Sequence, residues 1–158
     1  MTDRPSDPPA GLLAGPVFGA GRAGAALARR APLFVYGTLL FDEITEALLG
    51  RAPARRPATV PGWRVAALIG VTYPALVARA GAGATGELLT DLSADETRIL
   101  DAYEGPYYGL ALLAADDATP VWTYVRAPAA PPVAAGAWSR SAFARDHLAG
   151  FLASLTGH

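Results

Sequence analysis

The sequence predicts an α+β domain, a mainly antiparallel sheet or small β-barrel with flanking helices. Short apolar runs bounded by Gly, Pro and Asp recur from residue 33 to residue 126, with hairpin-like spacing. Helix-start and helix-stop signals interrupt them at intervals, and no sustained β-α-β rhythm of the parallel, doubly wound kind runs through the chain.

The elements follow in order. Ala, Gly and Pro dominate residues 1–31, which reads as a flexible N-terminal extension with a short helix near 22–30, the domain itself occupying 32–158. Asp3 and Asp7, with breaks at Pro16 and several glycines, argue against a secretory signal, so a cytoplasmic protein is expected. Gly19-x-Gly21-x-x-Gly24 has the spacing of a dinucleotide fingerprint. That chemistry needs a strand entering a tight turn, a helix N-terminus at the pyrophosphate, and a second parallel strand ending in an acid. Here only a couple of apolar residues precede Gly19, and the first acid after the next strand is Asp42, so the segment is read as flexible and Gly/Ala-rich.

Leu33-Phe34-Val35-Tyr36 is a short apolar strand that stops at Gly37; Asp42 is set to cap a helix over 43–49 closed by Gly50. The stretch 57–69 predicts a strand interrupted at Pro61-Gly62, 73–77 another, and Gly81 to Gly83 a turn into 84–90. Ser93-x-x-Glu96 is a capping box opening a helix with Ile99, Leu100 and Tyr103 on one face, ended by Gly105 with Pro106 beyond. Residues 107–115 and 120–126 form a hairpin around Asp116-Asp117, and a Pro/Ala linker over 127–136 leads to the last helix. That helix starts at Ser139, with Trp138 and Phe143 spaced as a hydrophobic staple and a stripe of Phe143, His147, Phe151 and Leu155 turned onto the body.

Composition narrows the chemistry. At 158 residues one domain is the default, burying about 68–70% of its unfolded surface. The absence of Cys excludes disulfides, thiolate nucleophiles and zinc-thiolate or iron–sulfur sites. All 13 basic residues are arginine, so no lysine can hold a phosphate or form a Schiff base. His147 and His158 are the only histidines, too few for a histidine-rich metal site. Asp42, Glu43 and Glu46 read as a helix start with favourable dipole placement, and no metal site or cofactor is expected. A net charge of −1 with scattered arginines argues against nucleic acid, and no apolar run is long enough to span a bilayer. If the protein is an enzyme, a carboxylate is left to move its protons.

Two segments carry a resemblance. Leu33-Phe34-Val35-Tyr36-Gly37-Thr38-Leu39-Leu40, followed by Leu100-Asp101-Ala102-Tyr103-Glu104-Gly105-Pro106-Tyr107-Tyr108, resembles the γ-glutamylcyclotransferase-like superfamily, over most of 32–155. The resemblance implies a small β-barrel with flanking helices and a substrate loop formed by Tyr36, Gly37, Thr38 and Leu39. It makes Glu104 the catalytic acid/base. The implied reaction is internal: the glutamyl α-amine of a small γ-glutamyl compound attacks its own γ-carbonyl, releasing 5-oxoproline and a free amine or amino acid. A non-catalytic member, keeping the pocket for ligand or protein binding, is the alternative. Family members often carry an arginine where this chain has Leu110, so the substrate's α-carboxylate is expected to meet loop amides, Thr38 or an arginine from elsewhere.

The residues themselves suit this chemistry. With nucleophile and electrophile in one molecule, positioning supplies much of the rate and no protein nucleophile is needed. A carboxyl can take the ammonium proton and return one to the leaving amine if its pKa approaches neutrality. Glu104 ends its helix, where the dipole disfavours the ionised form, and Asp101 sits one turn earlier; both push its pKa up. The strand-end loop can present successive N–H groups to a carboxylate or oxyanion, with Gly37 allowing close approach and Thr38 adding a hydroxyl. A glutamate before a helix-ending glycine is otherwise an ordinary solvated residue. Asp101 either pairs locally, for instance with Arg98, or touches substrate. Tyr107 and Tyr108 are pocket walls or plain strand residues, with Tyr108 carried forward as a substrate contact, and His147 is read as packed among Phe143 and Phe151.

Overall fold

The structure is a computed structural model that describes residues 11–156. Strand β1 (Leu12–Val17) and helix α1 (Arg22–Ala28) precede β2 (Leu33–Val35) and α2 (Asp42–Leu49). A long hairpin follows, β3 (Arg55–Leu68) and β4 (Pro74–Leu89), then α3 (Ala94–Glu104). Strands β5 (Tyr108–Ala114), β6 (Pro120–Arg126) and β7 (Val133–Ala137) lead to α4 (Arg140–Asp146) and α5 (Leu148–Thr156). Among the described residues no helix is long and apolar enough to cross a membrane.

The seven strands form one sheet in the order β1-β5-β6-β2-β4-β3-β7, antiparallel except where β6 meets β2 and β4. β4 lies along β2 through Leu88 and Leu89, then reaches β6 at Leu76, opposite Val125. This curls the sheet. It does not close it, and the expected β-barrel is corrected to an open, curled sheet. Closure needs the two end strands to pair, whereas β1 pairs only with β5 and β7 only with β3, each through register shifts.

The curl explains the apolar runs of the central strands. Leu33, Val35, Leu110, Leu112, Trp122 and Tyr124 face one buried cluster with Leu100 of α3, Ile44 of α2 and Phe143 of α4. Their neighbours Phe34, Ala111, Leu113, Val121 and Val125 face a second cluster with Val60, Trp63, Leu76 and Leu88 of the hairpin. Both faces are covered, so apolar residues occupy successive positions.

Several expectations change. Residues 12–28 are not loose: β1 pairs antiparallel with β5 and α1 packs against α3, while residues 1–10 of the expected 1–31 extension lie outside the described residues. A strand and a helix do flank Gly19 and Gly21, but the strand is antiparallel and at the end of the sheet, unlike a dinucleotide fold. The predicted breaks at Pro61-Gly62 and Gly81–Gly83 are two sides of one bulge in a continuous hairpin, where pairing jumps from Pro61↔Gly83 to Trp63↔Ala78. Helix α2 begins at Asp42, with Phe41 as its N-cap. The last helix divides at His147, whose backbone leaves the helical region at φ −133° and ψ −21°. The expected 127–136 linker contains the start of β7.

The capping box is present as predicted: Glu96 N–H donates to Ser93 Oγ at 3.1 Å and Ser93 N–H to Glu96 Oε1 at 3.0 Å. Arg51, just past α2, donates to the same Glu96 carboxylate, which together with the cap holds it at a pKa of about 2. The start of α3 is therefore tied to the end of α2. Gly105, at φ 69°, ends α3 in the left-handed region that favours glycine.

Candidate active site

The loop after β2 is fixed from several sides. The buried Tyr36 hydroxyl donates to the Tyr124 carbonyl of β6 and accepts from Leu76 N–H of β4 at 3.1 Å. One side chain thus bridges the two strands whose contact curls the sheet. At Gly37 a Cβ would lie 2.8 Å from Pro74 Cγ, which accounts for the glycine. The chain then makes a single 3₁₀ turn over 38–40, with Leu40 N–H donating to the Gly37 carbonyl at 3.0 Å and Phe41 N–H to that of Thr38 at 3.2 Å. The first N–H groups of such a turn have no partner within it, and its N-cap, Gly37, has no side chain to cap them. Thr38 Oγ1 lies 2.8 Å from the Tyr103 hydroxyl, joining loop to α3.

Glu104, the last residue of α3, meets this loop. Residues 34–39, Pro74, Glu104 and Tyr124 line a narrow cavity of about 30 Å³. Glu104 is half-buried at its wall, and its pKa is raised to about 8. Burial is the main cause; the nearby Arg22 guanidinium opposes it and the Asp101 carboxylate adds to it. Burial and the Glu104 charge hold Tyr36 well above its usual pKa, and Tyr103, Tyr108 and Tyr124 are raised chiefly by burial. At neutral pH these hydroxyls stay protonated. They surround a carboxyl that is itself largely protonated at neutral pH.

The fold therefore gathers Tyr36, Gly37, Thr38, Leu39 and Glu104 around one cavity. Tyr108 is set behind it: its hydroxyl donates to the Pro74 carbonyl at 2.7 Å, so it supports a wall and is not among the lining residues. Asp101 pairs with Arg22 at 3.0 Å and accepts from the Tyr124 hydroxyl at 2.7 Å, while Arg98 pairs with Asp95 instead. Leu110 is buried in the core. His147 is exposed, its ring 6.0 Å from that of Phe143. Among the described residues no group of three His, Asp or Glu could hold a metal. Asp42 instead lies 3.0 Å from Arg55, whose guanidinium also donates to the Leu39 carbonyl at 3.0 Å and so steadies the loop from below. No sequence signal marks Arg22, whereas Pro74 and Tyr124 lie within the 32–155 stretch that carries the family resemblance.

Gly86 positions the loop more remotely. A Cβ there would collide with the Val35 carbonyl and lie 2.9 Å from the Phe34 ring. Gly86→Ala should force β4 away from β2, at a cost of about 1–3 kcal/mol. The midpoint of urea unfolding measures it. An unchanged midpoint would show that the strands separate freely.

An open α+β sheet whose helices cover one face, with the 36–39 loop at the end of β2, places the chain in the γ-glutamylcyclotransferase-like superfamily. More narrowly, the chain belongs to the family described as gamma-glutamyl cyclotransferase, AIG2-like, whose pattern matches residues 33–140. It is 30% identical over 126 residues to AIG2-like protein D of Arabidopsis thaliana, a match covering 76% of this chain and 83% of that protein. AIG2-like protein A of the same plant is 30% identical over 125 residues, 76% of each chain. A solution structure of an A. thaliana protein superposes with a TM-score of 0.60 at 29% identity, covering 78% of this chain and 87% of that one. A second plant solution structure, at 24% identity and a TM-score of 0.53 over 80% of each chain, shares the fold.

Proposed function

We propose that this protein is a cofactor-free cyclotransferase acting on a small γ-glutamyl amide or peptide, with Glu104 as general acid and base and Tyr36–Leu39 as the binding loop. One observation carries the reading: a carboxyl with a pKa of about 8 shares a narrow cavity with a strand-end loop whose first turn donors have no partner within the turn. The Glu104 carboxylate takes a proton from the substrate ammonium, and the freed amine attacks the γ-carbonyl carbon. The new C–N bond closes a five-membered ring, and N–H groups of the loop receive the charge that develops on oxygen. Glu104 hands that first proton to the departing nitrogen as the old C–N bond breaks, and the carboxylate so regenerated takes the second proton from the ring nitrogen and passes it to the released amine, which leaves as its ammonium. The products are 5-oxoproline and a free amine; no water is consumed. Tyr108 serves this site by holding Pro74.

The test is a panel of γ-glutamyl dipeptides and γ-glutamyl amines, with 5-oxoproline scored by mass. Because the base form of Glu104 starts the reaction, kcat/KM should rise about tenfold per pH unit on the acid side and level off near pH 8. A limb centred near the ordinary carboxylate pKa would remove Glu104 from this role. The small size of the cavity favours a second reading, a non-catalytic member that binds a small ligand or a protein. Binding of panel compounds with no lactam formed would decide for it.

A further inference from the structure

Arg22 opens α1, before the stretch that matches the family pattern, yet its side chain ends at Glu104's helix. The residue is only 6% exposed. Nη1 donates to the carbonyls of Gly105 and Tyr108, the latter at 2.9 Å, and Nη2 to the carbonyl of Asp101 at 2.8 Å. Nε lies 3.0 Å from Asp101 Oδ1, and the guanidinium sits over the Tyr124 ring, 5.5 Å from its centroid. The contacts bracket Glu104, from Asp101 one turn before it to Gly105 and Tyr108 after it. They engage the negative end of the α3 dipole, where carbonyls lack intrahelical donors.

We infer that Arg22 is a positioning residue for Glu104: a guanidinium supplied from outside the family-matched region grips the turn that carries the carboxyl and offsets Asp101 beside it, so that the N-terminal segment completes the site. This rests on the role proposed for Glu104. The charged groups acting on Glu104 are Arg22 from α1 and Asp101 from α3; Tyr36 from the loop, Tyr103 from α3, Tyr108 from β5 and Tyr124 from β6 face it as neutral hydroxyls. An arginine keeps its charge at every working pH. Arg22 is thus a fixed counterweight, drawing the Glu104 proton affinity down from where burial and Asp101 would leave it.

The chain suits a direct test, because it contains five glutamates and no glutamine. Labelling glutamate at the δ-carbon with 13C in the full chain gives five carboxyl resonances, and a pH titration follows Glu104 without any substrate. Arg22→Gln should raise the Glu104 midpoint by about half a pH unit or more, and Asp101→Asn should lower it by a similar amount. A purely structural clamp would lower the melting temperature of both variants and leave both midpoints alone. If Arg22→Gln does not fold, Asp101→Asn, which leaves no unpaired carboxylate, decides. A wild-type midpoint near 8 that no folded variant moves overturns the positioning role alone. An ordinary carboxylate midpoint in the wild type overturns the role of Glu104 itself, and a silent substrate panel bears on the reaction without touching Arg22.

Discussion

Glu104→Gln is expected to lower 5-oxoproline formation by about 10²- to 10⁴-fold, the usual contribution of a positioned acid–base group, and to make the protein more stable above neutrality. The two effects share a cause. The folded carboxyl titrates at about 8, against 4.5 for an ordinary glutamate. Between those values the folded chain holds a proton that the unfolded chain has released, so stability falls as pH rises, by up to about 1.4 kcal/mol per pH unit. Below 4.5 both states are protonated and the loss is absent; above 8 both are ionised and it stops growing. Glutamine has the same shape and never ionises. Melting temperatures of the two proteins should therefore be close at pH 4 and diverge toward pH 9, with the variant higher. Retention of the wild-type rate would remove Glu104 from the reaction, and parallel melting curves would mean that its carboxyl is not desolvated.

Phe143→Ala should cost about 3–5 kcal/mol, the usual range for deleting a buried aromatic ring. Phe143 is 1% exposed, and its ring lies 5.5 Å from Phe41, 5.7 Å from Trp138 and 5.6 Å from Phe151. At seven residues α4 is too short to be stable alone, so its place depends on that ring and on the Ser139 cap. Phe41 directly follows the 38–40 turn, and loosening it should also reach the 36–39 loop. Urea unfolding at pH 7 gives the number. A loss below about 1 kcal/mol would contradict the packing argument.

What the letters disclosed, and what they hid, follows from the range of each interaction. The capping box at Ser93, the glycine stop at Gly105, the β5–β6 hairpin and the Trp138–Phe143 staple are local devices, and each is found where its spacing put it. Residues 36–39 and Glu104 were singled out on two separate segments, which the fold brings to one cavity. The helix dipole and Asp101 gave the direction of the Glu104 shift, but its largest cause is burial, which only the packed structure supplies. Arg22 stands 83 residues from Gly105 and had no local signal at all. Strand β1 was missed because four of its six residues are exposed, leaving no alternation to read. The glycines and prolines of β3 and β4 suggested turns, yet an extended two-stranded ribbon accommodates them at one bulge.

An open sheet has a liability that a closed one lacks, since unpaired margins can template the strands of other molecules into fibrils. Both margins here are blunted. Pro16 in β1 has no N–H to offer, and the strand's register shifts twice along β5. β7 is five residues long, touches β3 at only two registered positions and follows Pro131-Pro132. Neither side presents a continuous ladder to a neighbouring chain, so the curled sheet can remain unclosed without recruiting foreign strands.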